Sequence, residues 1–378
     1  MARDPNRPVY PCEGRLVSIH DLLAIFLRPE FLVGDVPRVS DLHLRIGATV
    51  RLRLDGDLVP LEGGAPLTRP VFEDLVHPLL SDAQIRRLGA TPPDDIDAAY
   101  DWTERAVSFR INAFVDRDGP ACVIRVLPRA VPPPQRIGFP EERIWRDITE
   151  AHQGLVIITG ITGSGKSTTI ASLLQHINRT RPVRMITLED PIEYVLADDR
   201  ALISQRQVGV HVESFASGLR SALREDPDII FVGEMRDRET AGLALTAAET
   251  GHLVVSTLHT RDARGALPRI VDLFPSERFK ELCSQLSFSL AWVIGQKLVT
   301  RADGGGRAVA MEVMRNNTAI ANLIRTGAWQ QLQSMIETQT KDGMYSLERH
   351  LLELVRRGVI SRDEAIRHAN DPSIAQRL

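Results

Sequence analysis

The rhythm of apolar and polar positions changes several times along this chain. From Ser40 it alternates: Leu42, Leu44 and Ile46, then Val50, Leu52 and Leu54, closing on Asp55-Gly56-Asp57. A period of two predicts half-buried strands, and Asp-Gly predicts the turn that ends them. Over residues 68–88 the period lengthens. Val71, Leu75, Leu79, Ile85 and Leu88 recur at helical spacing and predict a helix. Alternation returns at Val107–Phe114 and Cys122–Val126, around Asp116-Arg117-Asp118-Gly119. Upstream, residues 1–37 are interrupted by Pro5, Pro8, Pro11, Pro29 and Pro37, with one helix predicted from Ile19 to Leu27. Together these elements predict a small α+β domain over residues 1–128.

Residues 128–140 read Pro-Arg-Ala-Val-Pro-Pro-Pro-Gln-Arg-Ile-Gly-Phe-Pro. Proline at this density favours extended backbone, so a linker is expected over 129–142. Beyond it the apolar runs become unbroken: Leu155–Thr159, Met185–Leu188, Ile229–Val232 and His252–Thr257, with helical segments between them. Strands apolar on both faces, alternating with helices, predict a parallel sheet in an α/β domain over 143–275. From Ser276 to 378 a helical region is expected.

Composition narrows the class. The 378 residues are 43% apolar and 25% charged, which excludes fibrous and wholly disordered proteins. The net charge of −3 advertises no broad nucleic-acid surface. Cys12, Cys122 and Cys283 form no CxxC pair and no disulfide framework, as suits a reducing compartment. No apolar run approaches the roughly 18–20 residues of a membrane span, and no signal-peptide layout is visible. Of 46 basic residues only four are Lys, and Lys166 is the single one among the first 279 residues.

That lysine stands in Gly160-Ile-Thr-Gly-Ser-Gly-Lys166-Ser167, a full GxxxxGK[ST] match. It follows an apolar strand and opens an amphipathic helix, as the motif requires. Glycines let backbone N–H groups turn inward around phosphate oxygens, and the helix N-terminus adds partial positive charge. Gly160, Thr162, Gly163, Ser164, Gly165, Lys166, Ser167 and Thr168 are therefore the expected nucleotide-binding residues. Lys166 is expected to reach the β- and γ-phosphates of ATP, and the Ser167 hydroxyl to ligate Mg²⁺.

Hydrolysis also needs carboxylates. Glu189 and Glu234 each end an apolar strand, at the side of a parallel sheet where ligands bind. His252 and His259 bracket another strand and so lie at its opposite ends. Only His259, at the C-terminal end, is placed to meet phosphates.

These motifs, in this order, resemble the secretion ATPases, and among them the type IV pilus retraction (twitching motility) ATPases. Ile186-Thr-Leu-Glu-Asp-Pro-Ile-Glu-Tyr194 resembles the family's Asp box, and Leu223 to Asp237 its Walker B segment. Thr246 to Thr260 resembles its His box, while Ser40-Asp-Leu-His-Leu44 and Phe109-Arg-Ile-Asn-Ala-Phe114 resemble landmarks of its PAS-like N-terminal domain. The resemblance implies an α/β fold: a RecA-type P-loop ATPase domain, a small α+β PAS-like N-terminal domain and a helical C-terminal region. It implies Glu189 as the water-orienting base, Glu234 as the Walker B acid near Mg²⁺, and His259 as reader of the γ-phosphate. It further implies a homohexamer in which Arg110 and Arg125 reach a nucleotide. Asp118 stands where the family's intervening arginine is expected, with Arg117 just before it.

Assembly and type II secretion members usually carry a long N-terminal extension and a tetracysteine zinc module, and this chain shows neither, which favours the retraction type. The retraction group's Ala-Ile-Arg-Asn-Leu-Ile-Arg signature reads Ala319-Ile-Ala-Asn-Leu-Ile-Arg325 here, with Ala321 in place of Arg. That substitution leaves an accessory paralogue, beside a main motor, as the alternative. The implied partners are an inner-membrane platform protein of the pilus and a paralogous motor. The implied location is cytoplasmic, peripheral to the inner membrane through the pilus machinery. A DNA-translocating ring is disfavoured by the charge balance and by the lack of an aromatic-interleaved basic stripe.

Overall fold

The computed structural model describes residues 4–33, 36–55, 57–105, 107–127, 131–304, 306–371 and 373. Gly56 of the expected turn, Pro128, and residues 129–130 of the expected linker lie outside that set. The chain divides into two compact units, residues 1–130 and 131–378. The remainder of the expected linker therefore belongs to the second unit.

In the first unit a small hairpin (β1 Tyr10–Cys12, β2 Arg15–Val17), a short helix (α1 Ile19–Leu23) and a two-stranded ribbon (β3 Leu32–Val33, β4 Val36–Pro37) precede the main sheet. That sheet is formed by β5 (Val39–Arg45), β6 (Arg51–Leu54), β7 (Asp57–Pro60), β8 (Ile96–Trp102), β9 (Val107–Asp116) and β10 (Gly119–Val126). The spatial order is β7-β6-β5-β10-β9-β8, and every pairing is antiparallel. Register places Leu42, Ile111 and Ile124 in one row on the apolar face, all fully buried. The neighbouring row, Asp41, Arg125 and Arg110, lies on the opposite, polar face. Two helices, α2 (Arg69–Val76) and α3 (Asp82–Leu88), fill the span expected to be one helix. Pro78 sits in a 3₁₀ turn between them, and a second capping box at Ser81 starts α3.

The second unit holds a seven-stranded sheet: β11 (Gly154–Thr159), β12 (Arg184–Glu189), β13 (Leu202–Gln207), β14 (Ile229–Val232), β15 (Leu253–Leu258), β16 (Leu290–Thr300) and β17 (Arg307–Arg315). Its order is β13-β12-β14-β15-β11-β16-β17, parallel throughout except for the final β16–β17 hairpin. The helices are α4 (Glu142–Glu150), α5 (Lys166–Thr180), α6 (Phe215–Ala222), α7 (Arg238–Glu249), α8 (Ala263–Val271) and α9 (Phe279–Ser289), then α10 (Thr318–Thr326), α11 (Leu332–Thr338), α12 (Leu347–Arg356) and α13 (Arg362–His368). Every residue of β11 is buried, because both faces are covered. Val156 and Ile158 pack with α4 and α5, while Leu155 and Ile157 pack with α7, α8 and α9. The second unit is thus an α/β domain with helices on both faces of its sheet.

The expected helical region from 276 contains α9 to α13, with the β16–β17 hairpin set between α9 and α10. The run Leu290-Ala-Trp-Val-Ile-Gly joins the central sheet beside β11 instead of forming a helix. Among the described residues no helix is long and apolar enough to cross a membrane.

Candidate functional site

The loop Gly160–Gly165 joins the C-terminal end of β11 to the first turn of α5. Gly163 and Gly165 have φ of +79° and +87°, and Gly160 has +154°. A Cβ on Gly160 would lie 2.4 Å from the Gln296 carbonyl oxygen and 2.6 Å from Ser164 Oγ, so a side chain there has no room. The loop curls around the buried ammonium of Lys166, whose Nζ donates to the carbonyls of Gly160 at 2.7 Å and Ile161 at 3.1 Å. Burial pulls the Lys166 pKa down, and the charge of Glu193 opposes that shift. Ser164 Oγ is buried without a hydrogen-bond partner. A concave loop with an orphaned hydroxyl and an enclosed ammonium, opening a fifteen-residue helix, fits a nucleotide's phosphates. Thr162 is exposed, while Ser167 and Thr168 are half-buried in the first turn of α5.

Three further strand ends lie beside this loop. Glu189 ends β12 and is only 9% exposed. Its Oε1 accepts from the Thr187 hydroxyl at 2.6 Å and from Gln205 Nε2 at 3.0 Å. Burial raises its pKa, against the lowering effect of those two bonds. Gln205 Nε2 also donates to the Tyr194 carbonyl at 2.9 Å, and the Tyr194 hydroxyl shares a 2.9 Å hydrogen bond with Thr168 Oγ1 on α5. The Asp-box segment is thereby closed onto the phosphate loop. The carboxylate whose charge falls on Lys166 is Glu193, which is half-buried.

Glu234 follows β14 and pairs with Arg236 through Oε1 and with His259 Nε2 through Oε2 at 3.2 Å. His259 follows β15, and burial, then the charges of Lys166 and Arg236, lower its pKa. The imidazole is therefore neutral near pH 7. His252, at the other end of β15, accepts no such role: its Nδ1 lies 2.9 Å from the Ala247 carbonyl. Thr159, the last residue of β11, ties in the chain that follows β15, since its Oγ1 accepts from the Thr260 N–H at 2.9 Å.

Gln205, Glu193, Arg236 and Gln296 are site residues that sequence reasoning missed. Glu193 lies within the segment Ile186–Tyr194, and Arg236 two residues past Glu234. Gln296 gave no local signal at all.

In the first unit, Arg110 and Arg125 are direct cross-strand partners on β9 and β10. Arg125 Nε donates to Asp41 Oδ1 at 2.7 Å, and Asp41 is itself buried with a side chain 4% exposed. Arg110 Nη2 lies 3.8 Å from Asp97 Oδ1. Arg117 is almost wholly exposed beside Asp118, and Asp118 in turn pairs with Arg45. Arg125 is thus held at Nε by a buried aspartate, whereas Arg110 meets an exposed one through a terminal nitrogen, and both side chains remain partly exposed.

A sequence profile of the type II/IV secretion system proteins matches residues 38–363. A "twitching motility protein" of Neisseria gonorrhoeae is 47% identical over 277 residues, covering 73% of each chain. A protein of Pseudomonas aeruginosa named as the type IV pilus retraction ATPase PilT is 42% identical over 333 residues, covering 88% of this chain and 95% of its own. Among solved structures, that of the pilus retraction motor PilT with bound ADP matches with a TM-score of 0.82 at 40% identity, covering 90% of this chain and 96% of that one.

Proposed function

Because the chain belongs to the type II/IV secretion system protein family, we propose that it is a Mg²⁺-dependent ATPase motor that drives type IV pilus retraction. The observation that carries this reading is its likeness to a retraction ATPase along 95% of that protein's length, with the phosphate loop intact.

The chemistry follows from the side chains present. The inward N–H groups of the loop and Lys166 hold the β- and γ-phosphates of the substrate. Ser167 and Glu234 would hold Mg²⁺, which supplies charge neutralisation on the phosphate oxygens when bound. His259, neutral and hydrogen-bonded to Glu234, reads the γ-phosphate. For the base, exposure favours Glu193 over the expected Glu189. Glu189 is enclosed and its Oε1 accepts from Thr187 and Gln205, whereas Glu193 is half-buried and its charge falls on Lys166. A base must touch water, so the more open of the two carboxylates is the better candidate. Glu189 then holds the Asp-box segment in shape. Arg110 and Arg125 of the first unit would add positive charge for the developing γ-phosphoryl charge. In a homohexamer they would do so for a shared site, and the motor would act on an inner-membrane platform protein of the pilus from the cytoplasmic side.

Deletion of the gene tests the direction of force. Piliated cells that cannot twitch are expected; cells without pili would overturn retraction in favour of assembly. One observation favours a second reading, an accessory motor: Ala321 replaces the expected arginine on α10, beside the buried Ile320 and Ile324. If a paralogous motor retracts pili unaided in the deleted strain, that reading replaces the first.

A further inference from the structure

Gln296 lies in the middle of β16, 1% exposed, and carries no charge or motif. Its side-chain amide nonetheless joins the two halves of the phosphate-binding element. Nε2 donates to the Ser164 carbonyl at 2.7 Å, and Oε1 accepts from the Thr169 hydroxyl of α5 at 2.8 Å. Thr169 is equally enclosed, at 1% exposure. The loop presses on this residue at both ends. A Cβ on Gly165 would lie 2.9 Å from Gln296 Nε2, and one on Gly160 would lie 2.4 Å from the Gln296 backbone oxygen.

The consequence follows from peptide geometry. The Ser164 carbonyl and the Gly165 N–H belong to one planar unit and point in opposite directions. Drawing the carbonyl toward Gln296 aims the Gly165 N–H the other way, into the concavity of the loop. Gly165 has φ of +87° and no Cβ, so the plane is otherwise free to rotate. The bond from Thr169 fixes which end of the amide faces the loop.

We propose that Gln296 is a positioning residue for nucleotide: it locks the Ser164–Gly165 peptide plane so that an N–H faces the phosphates. This rests on the reading of the loop as a nucleotide site. Because Gln296 touches the loop from outside, its loss weakens the ground state and the transition state alike. KM therefore rises while kcat is nearly kept.

Gln296→Met keeps the length and volume and removes both hydrogen bonds. Binding of fluorescent ADP, followed by anisotropy, should weaken about tenfold, the effect of one to two net hydrogen bonds. The KM for ATP should rise by a similar factor, with kcat within about threefold. A role in packing alone would leave both unchanged. Should the Met variant fail to fold, Thr169→Val removes only the orienting bond and should weaken ADP binding two- to threefold by the same argument, at roughly half the loss. Parental binding in these variants, or a fall in kcat at unchanged KM, overturns the proposal. A parental protein that binds no ADP overturns the nucleotide reading, and this proposal with it.

Discussion

Glu193→Gln and Glu189→Gln, compared side by side, separate the two carboxylates of the Asp box. The replacements are isosteric, so differences report charge and proton transfer instead of volume. At position 189 the amide oxygen can still accept from Thr187 and Gln205, the bonds that close the segment onto α5 through Tyr194 and Thr168. Glu189→Gln should therefore retain nucleotide binding and lose less than about tenfold in turnover, the scale of one perturbed hydrogen bond. At position 193 the substitution removes the more exposed carboxylate, whose charge falls on Lys166. Loss of a positioned general base costs about 100-fold or more. The pair should be measured under single-turnover conditions at saturating ATP, with binding of labelled ATP followed separately. Lys166→Ala, which removes the ammonium enclosed by the loop, sets the floor for both. If Glu193→Gln turns over at the parental rate while Glu189→Gln collapses, the base is Glu189 and the argument from enclosure is wrong. If both are near parental, Glu234 becomes the leading candidate.

Arg125→Ala should lose most turnover, about 100-fold or more, yet keep ATP affinity within about tenfold, because a charge-stabilising arginine acts mainly in the transition state. Mixed with Glu193→Gln chains, it should regain partial activity if sites are shared between subunits; no rescue in well-mixed rings would refute sharing. Glu312 is fully buried, accepts from the Ala263 N–H at 2.6 Å, and is pushed by burial up to about 7 from 4.5. Between those values the folded protein keeps a proton that the unfolded chain has lost, so this group's contribution makes stability fall as pH rises and then level off above about 7. Glu312→Gln keeps the hydrogen bond and removes the titration. Its Tm should therefore fall less than the parent's between pH 5 and pH 8, and an equal fall in both would refute the assignment.

What the amino-acid order decided by itself was whatever is local. The phosphate loop is strand, turn and helix within about thirty residues, and its glycines and Lys166 are adjacent in the chain, so the motif carries its own geometry. The same holds for the alternating strands β9 and β10, whose pairing across Asp118-Gly119 puts Arg110 opposite Arg125. Where neighbours are distant, the pattern was silent or misleading. β13, with the sequence Leu202-Ile-Ser-Gln-Arg-Gln, is an edge strand covered only in part, so it shows no apolar run. β8 hides its alternation behind small and acidic residues, Ile96-Asp-Ala-Ala-Tyr-Asp-Trp. The apolar run of β16 suits a buried helix as well as a buried strand, and only the free edge of β11 decides between them. The end of an apolar strand indicates that a carboxylate is near the site, but not which of Glu189 and Glu193 is enclosed. That depends on Gln205, brought alongside by the parallel pairing of β12 and β13. Gln296 is the clearest case, meeting the Ser164 carbonyl across 132 positions of chain. A hydrogen bond at that separation exists only because β16 packs against β11, and it is set by the sheet, not by any residue pattern near either partner.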